Sequence, residues 1–242
     1  MVRLHDIRTR LIGCIVLLLL SCTQTEASKI PNIQFLQGRP LPTAPISTAK
    51  QYRFTEDMFA MRNRIFWQAL SSFKDRPDIH YLEVGVYEGR ALLWVLEHIF
   101  THPTSTLTGI DLFASGDGEF KPKEVYANPK DFKQRYFQNI NSSGQKQRIT
   151  THVGYSQDIL KTLQHNSYDI IYIDGCHTLT CARADSLLAW SLLKKDGLLM
   201  IDDYSERDFP DVHTAAQELF QKHQHSMKVL HTGWVLVLQK TQ

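Results

Sequence analysis

At 242 residues the chain is long enough for one sizeable domain with a buried core, and not comfortably long enough for two. Hydrophobic residues make up 43% and charged residues 21%, an ordinary globular composition. A net charge of +2, with no basic stripe or Lys/Arg block, argues against a nucleic-acid partner, and the 11 histidines are scattered.

The first segment differs from the rest. Arg3, Arg8 and Arg10 precede "LIGCIVLLLLSC", an apolar run too short to span a bilayer comfortably. A basic start, a short apolar stretch and small residues after it describe a secretory signal. "LLSC", ending at Cys22, also resembles a bacterial lipobox, whose cysteine is lipidated after cleavage. Residues 1–27 are therefore expected to be a leader that directs export or membrane attachment; the plainer alternative is an apolar helix packed on the domain. Residues 28–52, rich in Pro, Thr, Ser and Gln, read as a linker, leaving 53–242 as the domain. Of the four cysteines, Cys14 and Cys22 fall in the leader. Cys176 and Cys181 are too few for a disulfide framework and wrongly spaced for zinc, so free thiols are expected.

Along the domain, apolar residues from Arg53 to Phe73 recur at helical spacing (Phe54, Met58, Met61, Ile65, Phe66, Leu70), with Thr55 as N-cap. Strand-like and helix-like stretches then alternate. The strands are 79–86, 106–113, 148–155, 168–175 and 197–204. The helices between and after them are 90–100, 131–141, 157–164, 179–194 and 211–222. In the helix over 179–194, Cys181, Ala184, Leu188 and Leu192 share one face. The alternation predicts an α/β fold with a parallel sheet covered by helices on both faces. "MKVLHT" and "WVLVLQK" follow with only a short turn at Gly233 between them, too short for a parallel crossover, so the final strand runs antiparallel to its neighbour. The expected architecture is a Rossmann-like seven-stranded sheet: five parallel βα units plus a terminal hairpin.

Ligands bind such sheets at the carboxyl ends of the strands. The first strand ends in "EVGVYEGR", where Glu83, Gly85 and Gly89 form ExGxxxG rather than the GxGxxG that admits a pyrophosphate. The turn suits a ligand without a diphosphate, and a plain packing turn is the alternative. Asp111 closes the second strand, where an acid can accept hydrogen bonds from both ribose hydroxyls. In "GYSQD" after the third strand, Ser156 meets an adenine edge or caps a helix. The fourth strand ends in "YIDGCH", with Asp174 and His177, and the fifth in "IDDY", with Asp202 and Asp203. Three carboxylates brought together repel unless a cation or raised pKa values relieve them. Oxygen donors favour Mg²⁺, Ca²⁺ or Mn²⁺ over zinc. Successive strand side chains face opposite sides, so Asp202 and Asp203 reach one site only where the strand has left its pleat.

With these residues assembled, the chain resembles the class I S-adenosylmethionine-dependent methyltransferases, over roughly residues 55 to 240. "EVGVYEGR" looks like their first motif, Asp111 like the ribose-binding acid and "GYS" like the adenine loop. "IDGCH" followed by "LLKKDGLLMIDDY" resembles the magnesium-carrying small-molecule O-methyltransferases, among them macrolide-sugar enzymes and cephalosporin-hydroxylase-like proteins. The resemblance implies metal ligands at Asp174, Asp202 and Asp203, with Asp174 also bordering the cofactor, and a base at His177. Where the macrolide enzymes carry Glu at the first paired acid, this chain has Asp202, and their extra N-terminal domain is absent, so their substrate does not carry over.

The implied activity is O-methylation of a small hydroxylated acceptor. S-adenosyl-L-methionine is expected to bind at Glu83, Gly85, Gly89, Asp111, Ser156 and Asp174, with Mg²⁺ or another oxygen-liganded divalent cation assisting. Residues 113–132 would form much of a lid over the acceptor. A cofactor-binding module without chemistry and a nicotinamide-dependent oxidoreductase are the alternatives; the missing GxGxxG argues against the second. The leader conflicts with a cytosolic methyl donor, because arginines before an apolar run keep the N-terminus inside and send the domain out.

Overall fold

The computed structural model describes residues 28–33, 51–55, 57–114 and 129–242. The expected leader, most of the linker and most of the lid segment fall outside the described residues.

Seven strands form one sheet: β1 (His80–Val84), β2 (Thr106–Asp111), β3 (Ile149–Val153), β4 (Tyr168–Ile173), β5 (Leu193–Ile201), β6 (Met227–His231) and β7 (Leu236–Lys240). Their order is β3-β2-β1-β4-β5-β7-β6. The first five are parallel to one another, and β7 runs antiparallel to both β5 and β6. The sequence-based architecture is therefore the observed one, and the sheet reverses its winding between β1 and β4. Among the described residues six α-helices accompany the strands: α1 (Asn63–Leu70), α2 (Arg90–His98), α3 (Pro129–Ser142), α4 (Ser156–Leu160), α5 (Leu179–Leu192) and α6 (Pro210–His223).

Because strand side chains alternate, neighbouring residues feed two cores. Tyr81, Ile170, Leu198 and Met200 face one layer with Phe66, Leu92, Trp94 and Tyr136. Leu82, Ile171, Leu199 and Ile201 face the other with Ala189, Trp190, Ala216 and Leu219. Both faces are buried, which is why the strands read as continuous apolar runs. Among the described residues no helix is long and apolar enough to cross a membrane.

Three local expectations are corrected. The single helix over Arg53–Phe73 is instead a 3₁₀ turn at Met58–Met61, the eight-residue α1 and a second 3₁₀ turn at Ser71–Phe73. The chain before it is pinned elsewhere. Arg53 N donates to Asn139 Oδ1 at 2.9 Å, and Thr55 gives its amide and its hydroxyl to the buried Glu88 at 2.6 Å each, so Thr55 does not cap a helix. On α5 the buried residues are Ala182, Asp185, Ser186, Ala189 and Trp190, with Leu192, so the inward face is rotated from Cys181, Ala184 and Leu188. The linker is not free at its start: Ile30 N donates to Gln217 on α6 at 3.0 Å, and Ile33 and Thr232 exchange backbone and side-chain bonds beyond the end of β6.

Candidate functional site

The residues singled out from the sequence lie where β1 to β5 end, on one edge of the sheet. They fall into two groups that adjoin where the turn after β1 packs against the end of β4.

The first group surrounds the turn after β1. Gly85 has φ +88 and Gly89, the left-handed cap of α2, φ +82. A Cβ at Gly85 would lie 1.9 Å from the carbonyl oxygen of Asp174, so glycine is required there for the turn to pack against the end of β4. At Gly89 a Cβ would meet the Tyr136 ring at 3.1 Å. Both glycines thus have a packing role inside the fold. Tyr87, between them, adopts φ 48, a left-handed conformation rare for an aromatic residue. Its amide donates to Asp111 Oδ2 at 2.8 Å, and the Phe113 amide donates to Oδ1 at 2.7 Å. Asp111 thereby ties the end of β2 to the turn after β1. Burial pushes its carboxyl up, while the amides of Phe113, Tyr87 and Val86 oppose that rise. A carboxylate offers about four lone-pair positions, so acceptor capacity for a ligand's hydroxyls remains.

Glu83 is buried on β1 and accepts a 2.7 Å hydrogen bond from the Tyr81 hydroxyl. Burial raises its carboxyl to about 8; the Tyr81 bond works against the rise and the Asp111 charge adds to it. At neutral pH with nothing bound, Glu83 is largely protonated. Ser156 is the first residue of α4, whose cap position belongs to Tyr155, so the capping alternative for Ser156 is corrected. Behind it stands Asp185 of α5, fully buried and 3.1 Å from Gln157 Nε2. Burial lifts the Asp185 carboxyl to about 6, against hydrogen bonds from Ser156 and Gln157.

The second group lies at the ends of β4 and β5. The chain turns left-handed at Asp203, φ 54, immediately after β5 ends at Ile201. The departure from the pleat lets Asp202 and Asp203 meet the same guanidinium. Arg62 Nε lies 3.1 Å from both oxygens of Asp202, and Arg62 Nη2 lies 3.1 Å from Asp203 Oδ1. Asp202 is buried and also accepts the Tyr172 hydroxyl at 2.6 Å and the Asp203 amide at 2.8 Å. Asp203 Oδ2 meets His177 Nε2 at 3.0 Å. Asp174, His177 and Asp203 each offer a ligand atom, all within 4.8 Å of one another. Of the residues expected to gather round a cation, Asp174 and Asp203 come together with His177, whereas Asp202 is turned to Arg62 and Tyr172.

Asp174 titrates well above the usual carboxylate range. Crowding by protein atoms comes first, then repulsion from Asp202, Asp203 and Glu83, with the Tyr172 hydrogen bond opposing. Its side chain is nonetheless open to solvent at the mouth of the site, so the repulsion is the more durable cause. Asp202 is raised by burial and by Asp203, against the pull of Arg62. Beside this group the His177 ring lies 4.8 Å from the Phe209 ring, and Phe209 lies 6.4 Å from Trp234, which is 50% exposed.

Cys176 and Cys181 flank His177 and are joined in a disulfide, which corrects the expectation of free thiols. The turn into α5 brings their Cα atoms to 6.0 Å, within bridging range, a closeness their spacing in sequence does not reveal. Sequence reasoning also missed Arg62, Tyr172 and Asp185. Arg62 stands 140 positions from Asp202 in a stretch that reads only as amphipathic helix, so nothing local marks it.

Comparison with known proteins gives these positions a context. A family described as "Methyltransferase domain" matches residues 82–204, from inside β1 to just beyond Asp203. In sequence, the chain is 25% identical over 171 residues to an uncharacterised protein of Acanthamoeba polyphaga mimivirus, covering 68% of this chain and 71% of that one. In structure it is similar to the O-methyltransferase NovP, with a TM-score of 0.54 and 15% identity over 67% of this chain and 72% of NovP. It is also similar to the TDP-rhamnose 3'-O-methyltransferase of calicheamicin biosynthesis, with a TM-score of 0.51 and 18% identity over 76% and 80% of the two chains. At those identities the structural likeness speaks for the fold.

Proposed function

Taking as premise that the chain belongs to the methyltransferase-domain family and is an S-adenosylmethionine-dependent methyltransferase, we propose that it methylates a hydroxyl oxygen of a small acceptor with the help of a divalent cation. The observation that carries this reading is the meeting of Asp174, His177 and Asp203 within 4.8 Å, with the Asp174 backbone packed against the Gly85 turn. A donor would lie against the Gly85 turn and an acceptor beside the acidic group, the two meeting directly at the ends of β1 and β4.

On the donor side, Glu83 and the Gly85–Gly89 backbone would hold the methionine portion. A positive group arriving beside Glu83 would draw its raised carboxyl toward the ionised form. Asp111 would take the ribose hydroxyls with its remaining lone pairs, and Ser156 would border the adenine, braced from behind by Asp185. Asp174 contributes to both sides: its backbone closes the donor turn and its carboxylate faces the acceptor.

The donor set suits a cation that accepts oxygen with some nitrogen, such as Mg²⁺ or Mn²⁺. Asp174 and Asp203 would hold it, with Asp202 able to join by giving up Arg62. Bound there, such an ion lowers the pKa of an acceptor hydroxyl and fixes its direction. In the proposed transfer the acceptor oxygen would attack the methyl carbon in line with the sulfur, an O–C bond would form, and the C–S bond would break with its electron pair left on sulfur. His177 would take the hydroxyl proton on its other ring nitrogen, while Nε2, 3.0 Å from Asp203 Oδ2, donates to that carboxylate and so holds the ring in place. Positioning supplies much of the acceleration, since in-line geometry is demanding.

Release of S-adenosylhomocysteine over a panel of hydroxylated acceptors tests the reading. Turnover should cease with EDTA and return with Mg²⁺. Turnover indifferent to EDTA would remove the cation, and absence of turnover on every acceptor would favour a binding module. Export or membrane attachment through residues 1–27 is proposed separately, from Arg3, Arg8, Arg10 and "LLSC". Cell fractionation and a search for acylated Cys22 test it.

A further inference from the structure

The paired aspartates already face a cation. Arg62 Nε bridges both oxygens of Asp202, and Nη2 reaches Asp203 Oδ1, all at 3.1 Å. The guanidinium side chain is only 14% exposed, and its carbon lies 5.7 Å from the centre of the Trp234 ring. Asp203's other oxygen is taken by His177 and Asp202's Oδ2 also by Tyr172. Arg62 itself is not loosely placed. It caps α1, and the chain ahead of it is fastened by Thr55 to Glu88 and by Asp57 to Arg90 at 3.0 Å. An arginine donates in a fixed fork and stays charged, so it can stand where a counter-cation would.

We propose that Arg62 is the resident counter-cation of the acidic site, a positioning residue that competes with a divalent ion for Asp202 and Asp203. The proposal rests on the metal-assisted reading above and adds a threshold to it. A cation entering among Asp174, His177 and Asp203 meets a guanidinium hydrogen-bonded to one of its ligands. Repulsion between a single and a double charge a few ångströms apart lowers affinity by about tenfold or more, even when well screened by water. For Asp202 to join the ion, Arg62 must release it and draw back from the pair, changing its contact with Trp234.

Isothermal titration of the full chain with Mn²⁺ tests this, using wild type, Arg62→Gln, Arg62→Lys and Asp203→Asn, each with its thermal melt. Arg62→Gln should bind Mn²⁺ about tenfold tighter or more, Arg62→Lys should stay within about threefold of wild type because it keeps the charge, and Asp203→Asn should lose binding. A folded Arg62→Gln with unchanged or weaker affinity beside a wild type that binds overturns the role of Arg62 and leaves the cation reading intact. No binding by either protein overturns both. Should Arg62→Gln fail to fold, Mg²⁺ titration of the wild type replaces it. Tryptophan emission should change in the wild type and not in Trp234→Phe, and identical responses would overturn the proposal.

Discussion

At the ends of β1 and β2 the acidic groups are answered by backbone amides and a near neighbour: Asp111 by Tyr87 and Phe113, Glu83 by Tyr81 two residues away. At the ends of β4 and β5 they are answered by side chains from far along the chain, Asp202 and Asp203 by Arg62, and Asp203 also by His177. The first arrangement is fixed as soon as β1 and β2 pair, since the turn and Asp111 form one unit. The second exists only once α1 has packed against the opposite half of the sheet. A site framed by backbone is rigid and holds one kind of ligand, whereas one framed by exchangeable ion pairs can trade partners. That fits a constant methyl donor on one side and an exchangeable cation and acceptor on the other.

Four changes probe this contrast. Gly85→Ala should have the largest effect, because its Cβ would enter the carbonyl of Asp174 at a positive φ and disturb both sides together. Roughly 3 kcal/mol of stability should be lost in urea denaturation. An alanine variant as stable as wild type would mean that the contact between the Gly85 turn and the end of β4 yields readily. Next, Asp111→Ala should weaken S-adenosylhomocysteine binding by about a hundredfold in calorimetry, the loss of two hydrogen bonds to a charged group. Asp203→Ala should leave that binding nearly unchanged. Equal loss in both would erase the division of labour.

The third change is reduction of the Cys176–Cys181 bridge. A closed loop of sequence separation 5 stabilises by roughly 2 kcal/mol at most in the chain-entropy view. Cys176→Ser/Cys181→Ser should therefore lower the melting temperature modestly, lower turnover through a looser His177, and leave S-adenosylhomocysteine affinity alone. The smallest effect at neutral pH belongs to Glu83→Gln, within about 0.5 kcal/mol, because Glu83 is then mostly protonated. The sign follows from linkage. With a folded value of about 8 above the ordinary value of 4.5, the native state binds the extra proton between those limits. Wild-type stability contributed by this group is full below about pH 4.5 and is lost as pH rises through about 8. Glu83→Gln should flatten that decline in melts taken from pH 5 to 9, and a parallel decline in both proteins would place its cause elsewhere.

The order of strands and helices was legible because both cores leave strong marks: two-sided strands as apolar runs, and the reversed β7 through the shortness of the turn at Gly233. The condition that Asp202 and Asp203 share a site only if the strand leaves its pleat was also readable, and φ 54 at Asp203 meets it. What escaped was set by distance. The split of the first helix follows from Glu88 and Asn139 holding Thr55 and Arg53, the rotation of α5 from polar Asp185 and Ser186 being drawn inward, and the counter-charge from Arg62. None of these partners is near its target in sequence. The glycines were read as a ligand cradle or a packing turn, and the structure gives both a packing role, since the nearest obstacle to a Cβ at Gly85 is the chain's own backbone.

The antiparallel insertion of β7 also sets a timetable. Within the sheet β6 pairs only with β7, and β7 is the later of the two in chain order yet sits between β5 and β6. The half of the sheet beyond β5 therefore has no template until the last strand is available. Ile33 fastens to Thr232 across 199 positions, a contact that can close only afterwards. Pairings of such long reach are slow to form and leave apolar edges open while they wait. Until β7 pairs with it, β5 is thus the open border of an unfinished sheet, the edge most exposed to pairing with another chain.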